Sequence, residues 1–128
     1  MKKVAVAGCS LRPDRASNYV SDYLQKMGYK IFPVNPEYRE ILGEKCYANL
    51  LDIPEPVELV VIFRKSEHVL PIVEEAVKIG AKAVWMQDGV ENFEAARIAS
   101  NAGLRVIMND CIMRVHQNLA MEIGLSNI

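Results

Sequence analysis

The 128-residue sequence lacks most of the features that announce a function outright. It has little charge of one sign, with 15 Lys and Arg against 16 Asp and Glu. Up to Arg64 there are nine basic and eight acidic residues, and after it six and eight. A protein that holds nucleic acid through a broad basic surface is more polarised than this, so nucleic acid is not expected as a partner. No apolar run approaches the roughly 20 residues of a membrane span. Only Val4 to Gly8 separate Lys3 from Cys9, which is too short for the apolar stretch of a secretory or lipoprotein signal. Cysteine is scarce: Cys9, Cys46 and Cys111 are odd in number and widely spaced, without a Cys-x-x-Cys. Reduced thiols in a cytoplasmic protein fit that pattern better than a disulfide framework or a thiolate metal site. With 7 Gly and 6 Pro and no low-complexity segment, neither disorder nor a linker is indicated. One domain over residues 1–128 is the expectation.

What is present is an alternation of apolar strands and amphipathic helices. Val4-Ala5-Val6-Ala7-Gly8 and Leu59-Val60-Val61-Ile62-Phe63 are continuous apolar runs, as in strands covered on both faces. A punctuation recurs at Gly28-Tyr29-Lys30, Gly80-Ala81-Lys82 and Gly103-Leu104-Arg105. In each case a glycine closes a helix, a small or apolar residue and a cation follow, and an apolar strand begins. Tyr19, Val20, Tyr23, Leu24 and Met27 recur at helical spacing. Ser66 is the expected cap of a helix with the stripe Val69, Ile72, Val73, Ala76, Val77 and Ile79. Asn92 is the expected cap of another whose inner face is Phe93, Ala96, Ile98 and Ala99. A last helix carries Ile112, Val115, Leu119 and Ile123. Residues 36–56 are irregular, with a short helix or loops. Five strands alternating with helices predict an α/β fold: an open, doubly wound, mainly parallel sheet with helices on both faces.

In such sheets a ligand lies beyond the carboxyl ends of the strands, where the winding reverses. The first loop, Gly8-Cys9-Ser10-Leu11-Arg12-Pro13-Asp14-Arg15-Ala16-Ser17-Asn18, runs from a buried strand into a helix start. Helix N-termini favour anions, and Ser10, Arg12, Arg15, Ser17 and Asn18 suit phosphate oxygens. The competing reading is that Ser17 or Asn18 caps the helix and the arginines are solvated. Two absences narrow the nucleotide. No Gly-x-Gly-x-x-Gly follows the first strand, and the second ends in Val34-Asn35-Pro36 without the acidic residue that reads an NAD ribose. A Walker-type phosphate loop is also lacking. Val34, Asn35 and Pro36 instead offer a wall for a base, and Phe63 another.

Several strings together resemble the small single-domain CoA-binding proteins of prokaryotes: Gly8-Cys9-Ser10, Ser17-Asn18-Tyr19-Val20, Tyr23-Leu24, Gly28-Tyr29, Pro33-Val34-Asn35-Pro36, Ile53-Pro54, Ile62-Phe63-Arg64-Lys65-Ser66-Glu67, Trp85-Met86-Gln87-Asp88-Gly89-Val90 and Asp110-Cys111-Ile112-Met113. The likeness covers nearly the whole chain. It is similar to the N-terminal domain of the succinyl-CoA synthetase alpha subunit standing alone. The departure is Arg114-Val115-His116, where an acidic residue is expected before the histidine.

The resemblance implies a Rossmann-like fold that binds coenzyme A, or an acyl-CoA, across the ends of the first three strands. Gly8, Cys9, Ser10, Arg12, Arg15, Ser17 and Asn18 would then hold phosphates. Val34, Asn35 and Pro36 would border the adenosine, and Phe63 and Arg64 the arm or phosphates. Core burial of Phe63 and a surface ion pair of Arg64 with Glu67 are the competing readings. Cys9 is also a candidate for a mixed disulfide with CoA, set against burial beside Ala7.

Catalytic residues are not apparent: His68 and His116 belong to no nucleophile–base or metal-ligand spacing, and Asp110 reads equally as a helix cap. The length leaves no room for a separate catalytic domain, which favours a non-catalytic binding, sensor or accessory module over a nucleotide-dependent enzyme or a ligase component requiring a partner chain. A homo-oligomer or a protein partner stays open, and no metal is expected.

Overall fold

The computed structural model describes residues 2–122, so Ile123 of the expected last helix lies outside the described residues. The main sheet contains β1 (Lys3–Ala7), β2 (Lys30–Val34), β5 (Leu59–Ile62), β6 (Ala83–Met86) and β7 (Arg105–Ile107). A separate hairpin is formed by β3 (Glu40–Ile41) and β4 (Glu44–Lys45). The helices are α1 (Ala16–Lys26), α2 (Val69–Lys78), α3 (Phe93–Asn101) and α4 (Ile112–Glu122). The order across the sheet is β2-β1-β5-β6-β7, and every pairing is parallel. None of the helices described is long and apolar enough to cross a membrane.

The continuous apolar strands serve two cores at once. Along β1, Val4 and Val6 face the cluster that takes in Val20, Leu24 and Ile112, while Ala5 faces the cluster that takes in Val73, Ala76, Ala95 and Ala99. The period of two is hidden because both faces are apolar. Fully burying a Val or Ile contributes about 1.5–3 kcal/mol, and this central ladder is buried from Val4 to Ala7 and from Leu59 to Ile62.

The recurring glycine closes three helices in the same way. Tyr29 N–H returns to Leu24 O at 3.0 Å, Ala81 to Ala76 at 3.1 Å and Leu104 to Ala99 at 2.9 Å. Each bond spans a glycine with positive φ, which turns the chain directly into the next strand.

Three local expectations are corrected. Ser66 does not cap α2; it opens a 3-10 turn (Ser66–His68) ahead of the helix. Its Oγ accepts the Glu91 N–H at 2.9 Å, and its carbonyl accepts Asn92 Nδ2 at 3.0 Å. The residue therefore ties two loops together. Asn92 does cap α3, accepting Ala95 N–H at 3.0 Å, but Phe93 stands 71% exposed and the buried positions are Ala95 and Ala99. Small residues there let α3 approach α2. On α1 the buried face is Ser17, Val20, Ser21 and Leu24, leaving Tyr19 and Met27 exposed. Residues 36–56 fold as the β3–β4 hairpin plus a 3-10 turn, Leu50–Asp52. Leu42 and Gly43 both take positive φ, as a two-residue hairpin turn requires; leucine gives no signal of that conformation.

Candidate functional site

Gly8 stands where the winding reverses, between the ends of β1, β2 and β5. Its N–H donates to Val34 O at 2.9 Å, and Phe63 N–H donates to Ala7 O at 2.9 Å. With φ at +82°, a Cβ on Gly8 would collide with the Phe63 carbonyl oxygen and come 2.9 Å from Arg64 Cδ. Glycine is therefore required by conformation and by contact.

The loop that follows is held by its own polar groups. Ser17 Oγ accepts the Ser10 N–H at 2.9 Å, Asn18 Nδ2 donates to Ser10 O at 2.8 Å, and Ser10 Oγ accepts the Arg12 N–H at 3.1 Å. Ser17 and Asn18 are buried, so their side chains shape the loop, and Ser17 also lines the cavity beside it. The residue at the N-cap of α1 is Arg15, which makes no side-chain capping bond. The first-turn N–H groups thus remain uncapped by any side chain, next to a guanidinium.

Cys9 is completely buried, with Sγ 3.6 Å from Ser17 O and 3.7 Å from Ser21 Oγ. Burial pushes its thiol up to about 11. A protonated thiol facing the core is not set up for disulfide exchange, so of the two readings of Cys9 the structure favours burial. Its carbonyl still contributes, accepting Asn35 Nδ2 at 3.0 Å. Asn35 also donates its N–H to Tyr47 O at 2.9 Å and accepts the Glu37 N–H through Oδ1 at 2.9 Å. It joins the loops after β1 and β2.

Gly8, Asn35 and Arg64 are shared by two cavities. The first, about 340 Å³, has an apolar wall including Val34, Pro36, Leu50, Pro71 and Ile72. The second, about 450 Å³, is basic and polar, with Ser10, Arg12, Arg15, Tyr38 and Phe63. Arg12 is paired with Asp14 at 3.0 Å in the open. Among the described residues Arg15 and Arg64 form no ion pair, and Glu67 lies 3.8 Å from His68 instead of meeting Arg64. Phe63 is half-buried, both packed on the core and lining the basic cavity. The crevice thus combines unpaired cations, an uncapped helix start and an adjoining apolar wall.

A third cavity, about 390 Å³, lies on the far side of Phe63, lined by Tyr19, Gln87, Asp88, Arg114 and Gln117 among others. Arg114 grips Asp88 through two bonds of 3.0 and 2.9 Å and Asp110 at 2.6 Å. The guanidinium holds the Asp88 carboxyl below its usual range. Asp110 also accepts the Cys111 N–H at 2.9 Å, and its carbonyl accepts Trp85 Nε1 at 2.9 Å. The unexpected Arg114 is therefore what clamps the start of α4. His116 is bonded to the Tyr23 hydroxyl, away from the crevice, while His68 sits in the wall of the apolar cavity. Among the described residues no group of His, Cys, Asp or Glu could hold a metal ion. Tyr38, His68 and Asn49 were not legible as site residues; only the folding of residues 36–56 against the sheet brings Tyr38 and Asn49 there.

A family model described as a CoA binding domain matches residues 2–117. The chain is 42% identical over 115 residues to the uncharacterized protein YneT of Bacillus subtilis, covering 90% of this chain and 85% of YneT. It is 35% identical over 128 residues to an ADP-forming acetate–CoA ligase of Methanocaldococcus jannaschii, covering 92% of this chain but only 18% of the ligase. Among solved structures, a hypothetical protein from Pyrococcus horikoshii superposes with a TM-score of 0.90 at 47% identity, over 92% of this chain and 83% of that one. A dinucleotide-forming acetyl-coenzyme A synthetase of Ca. Korarchaeum cryptofilum gives 0.73 at 29% identity, over 82% of this chain and 25% of the synthetase.

Proposed function

The chain belongs to the CoA binding domain family, and on that premise we propose that it binds coenzyme A or an acyl-CoA in the crevice around Gly8. The observation that carries this reading is the pair of unpaired arginines, Arg15 and Arg64, facing the same basic cavity, which shares Gly8 and Asn35 with an apolar one. CoA carries a pyrophosphate, a 3′-phosphate, an adenine and a long arm. Arg15, Arg64 and the α1 N-terminus would hold phosphates, with Arg12 adding charge. Val34, Asn35 and Pro36 would border the adenosine, with Ile72 across the cavity. Phe63 would flank the arm where it leaves the phosphates.

In this reading the module would act as a binding, sensor or accessory unit, since among the described residues no side chains in the crevice form a nucleophile–base pair. A second reading, a component that works with a partner chain, is favoured by the similarity to part of a much longer CoA ligase. Native mass spectrometry with CoA, acetyl-CoA, NAD, NADP and ATP tests the ligand class. Selective retention of CoA species is expected; preference for NAD, or no retention, overturns the proposal. Adding candidate ligase chains in the same experiment separates the two readings.

A further inference from the structure

The cavity beyond Phe63 is left over when phosphates and adenosine are assigned, yet it is continuous in its walls with the basic cavity: Ala16 and Phe63 line both. Two features say what it would accept. The first is Gln87. Its backbone is committed to the sheet edge, with its N–H on Ile62 O at 3.3 Å and its carbonyl accepting Val90 N–H at 2.9 Å. Its side chain is a different matter. Gln87 is 3% exposed, belongs to the wall of this cavity, and its buried Nε2 has no hydrogen-bond partner among the described residues. Unpaired buried donors are rare in native proteins because water's hydrogen bonds have been surrendered without replacement. Such a donor beside a cavity points to a ligand acceptor.

The second feature is the balance of charge. Arg114, the cation in this wall, is already held by Asp88 and Asp110. No unpaired cation remains here for a further carboxylate, and Asp88 would repel one. The rest of the wall includes Tyr19, Val20, Phe63, Val90 and Met113, which suit a short hydrocarbon chain.

We propose that this cavity is an acyl subsite, in which Gln87 Nε2 donates to the thioester carbonyl oxygen of a short, uncharged acyl group. The inference rests on the CoA reading above and names its substrate class: a neutral acyl-CoA in preference to free CoA or to a dicarboxylic acyl-CoA.

Calorimetric titration of the full chain with CoA, butyryl-CoA and succinyl-CoA tests it, on the wild type and on Gln87→Leu. One neutral hydrogen bond with a few methylene contacts corresponds to about a five- to tenfold preference for butyryl-CoA over CoA. Succinyl-CoA should bind no more tightly than CoA. In Gln87→Leu the preference should fall below about twofold, while the melting temperature holds or rises because an unmet donor has been removed. Equal binding of CoA and butyryl-CoA by the wild type, or a preference retained in Gln87→Leu, overturns the acyl subsite and leaves CoA binding standing. Failure to bind any of the three ligands overturns the CoA reading and the subsite with it. Should Gln87→Leu not fold, Gln87→Met supplies the same comparison, and the wild-type contrast of butyryl-CoA with succinyl-CoA decides independently.

Discussion

The two edges of the sheet carry charge in opposite ways. At the amino edge, Lys3 and Lys30 meet Glu55 at 3.2 and 3.6 Å, and Lys82 meets Glu58 at 3.8 Å. Glu58 also accepts the N–H groups of Lys2 and Lys3 at 2.8 and 3.1 Å. Of the three cations of the recurring Gly-x-cation signal, Arg105 forms no ion pair among the described residues, whereas Lys30 and Lys82 have a structural task. They lie beside helix C-termini, where positive charge is favoured, and beside carboxylates. At the carboxyl edge Arg15 and Arg64 lie near a helix N-terminus, where positive charge is disfavoured unless an anion joins it. Size does not distinguish the edges: the hollow around Glu58, Gly80, Lys82 and Arg105 at the amino edge reaches about 610 Å³, more than either cavity beside Gly8. What distinguishes the carboxyl edge is that two unpaired arginines, Arg15 and Arg64, line one cavity beside a helix N-terminus, whereas the amino-edge hollow sets Arg105 beside the paired Lys82 and Glu58.

Glycines at the two edges give the largest test of that contrast. Gly8 and Gly103 both have positive φ, +82° and +90°, but a Cβ on Gly103 meets nothing within 4 Å. Gly8→Ala should destabilise the fold by roughly 2–4 kcal/mol, combining strain with backbone collision, and should abolish CoA binding. Gly103→Ala should cost only about 1 kcal/mol, from strain alone. Urea unfolding and CoA titration measure both; equal losses at the two positions would remove the special role of Gly8.

Charge deletion comes next in size. Arg15→Ala combined with Arg64→Ala should weaken CoA binding by roughly 10- to 100-fold at low salt, as expected for two charge-assisted contacts. The matching amino-edge pair, Lys30→Ala with Lys82→Ala, should change affinity less than about twofold. Titrations at two salt concentrations separate direct contact from general attraction. Arg12→Ala should have a smaller effect, about two- to fourfold, because Asp14 already occupies the guanidinium and solvent screens it.

The smallest effect is the pH response of the amino edge. The Lys3 ammonium holds the Glu55 carboxyl below its usual range, and the N–H groups of Lys2 and Lys3 do the same for Glu58. Carboxyls depressed in the fold contribute stability that is complete above their ordinary range and is lost as pH falls through the folded values. Urea midpoints should therefore decline in acid, starting near the ordinary glutamate value of 4.5. Glu58→Gln should flatten part of that decline, while CoA affinity measured at neutral pH stays unchanged.

Legibility differed by the kind of signal each residue carried. The strand runs and the Gly-x-cation repeat are local, so the alternation of elements and the position of the crevice were readable. For Ser17, Asn18 and Cys9 the loop was legible but the buried contacts of their side chains were not, because whether a polar side chain faces a ligand or its own backbone depends on the loop's path. Phe93 and Tyr19 misled for a different reason. Aromatic residues at helical spacing suggest an inner face, but α3 packs through Ala95 and Ala99, and α1 through Val20 and Leu24. Leu42 gave no readable turn signal beside Gly43, and Arg114 appeared only as a departure from a familiar pattern.

By itself the sequence determined the α/β alternation, the helix ends and the glycine at the reversal of winding, since each follows from steric and apolar patterns within a few residues. Only the tertiary structure decided which cations stay unpaired, which cysteine is sealed in the core and which amide is left without a partner. Those properties belong to pairs of groups far apart in the chain: Glu58 reaches Lys2 and Lys3, Arg114 reaches Asp88, and Phe63 separates two cavities. No local pattern encodes such meetings, because they depend on where five strands and four helices bring their ends together.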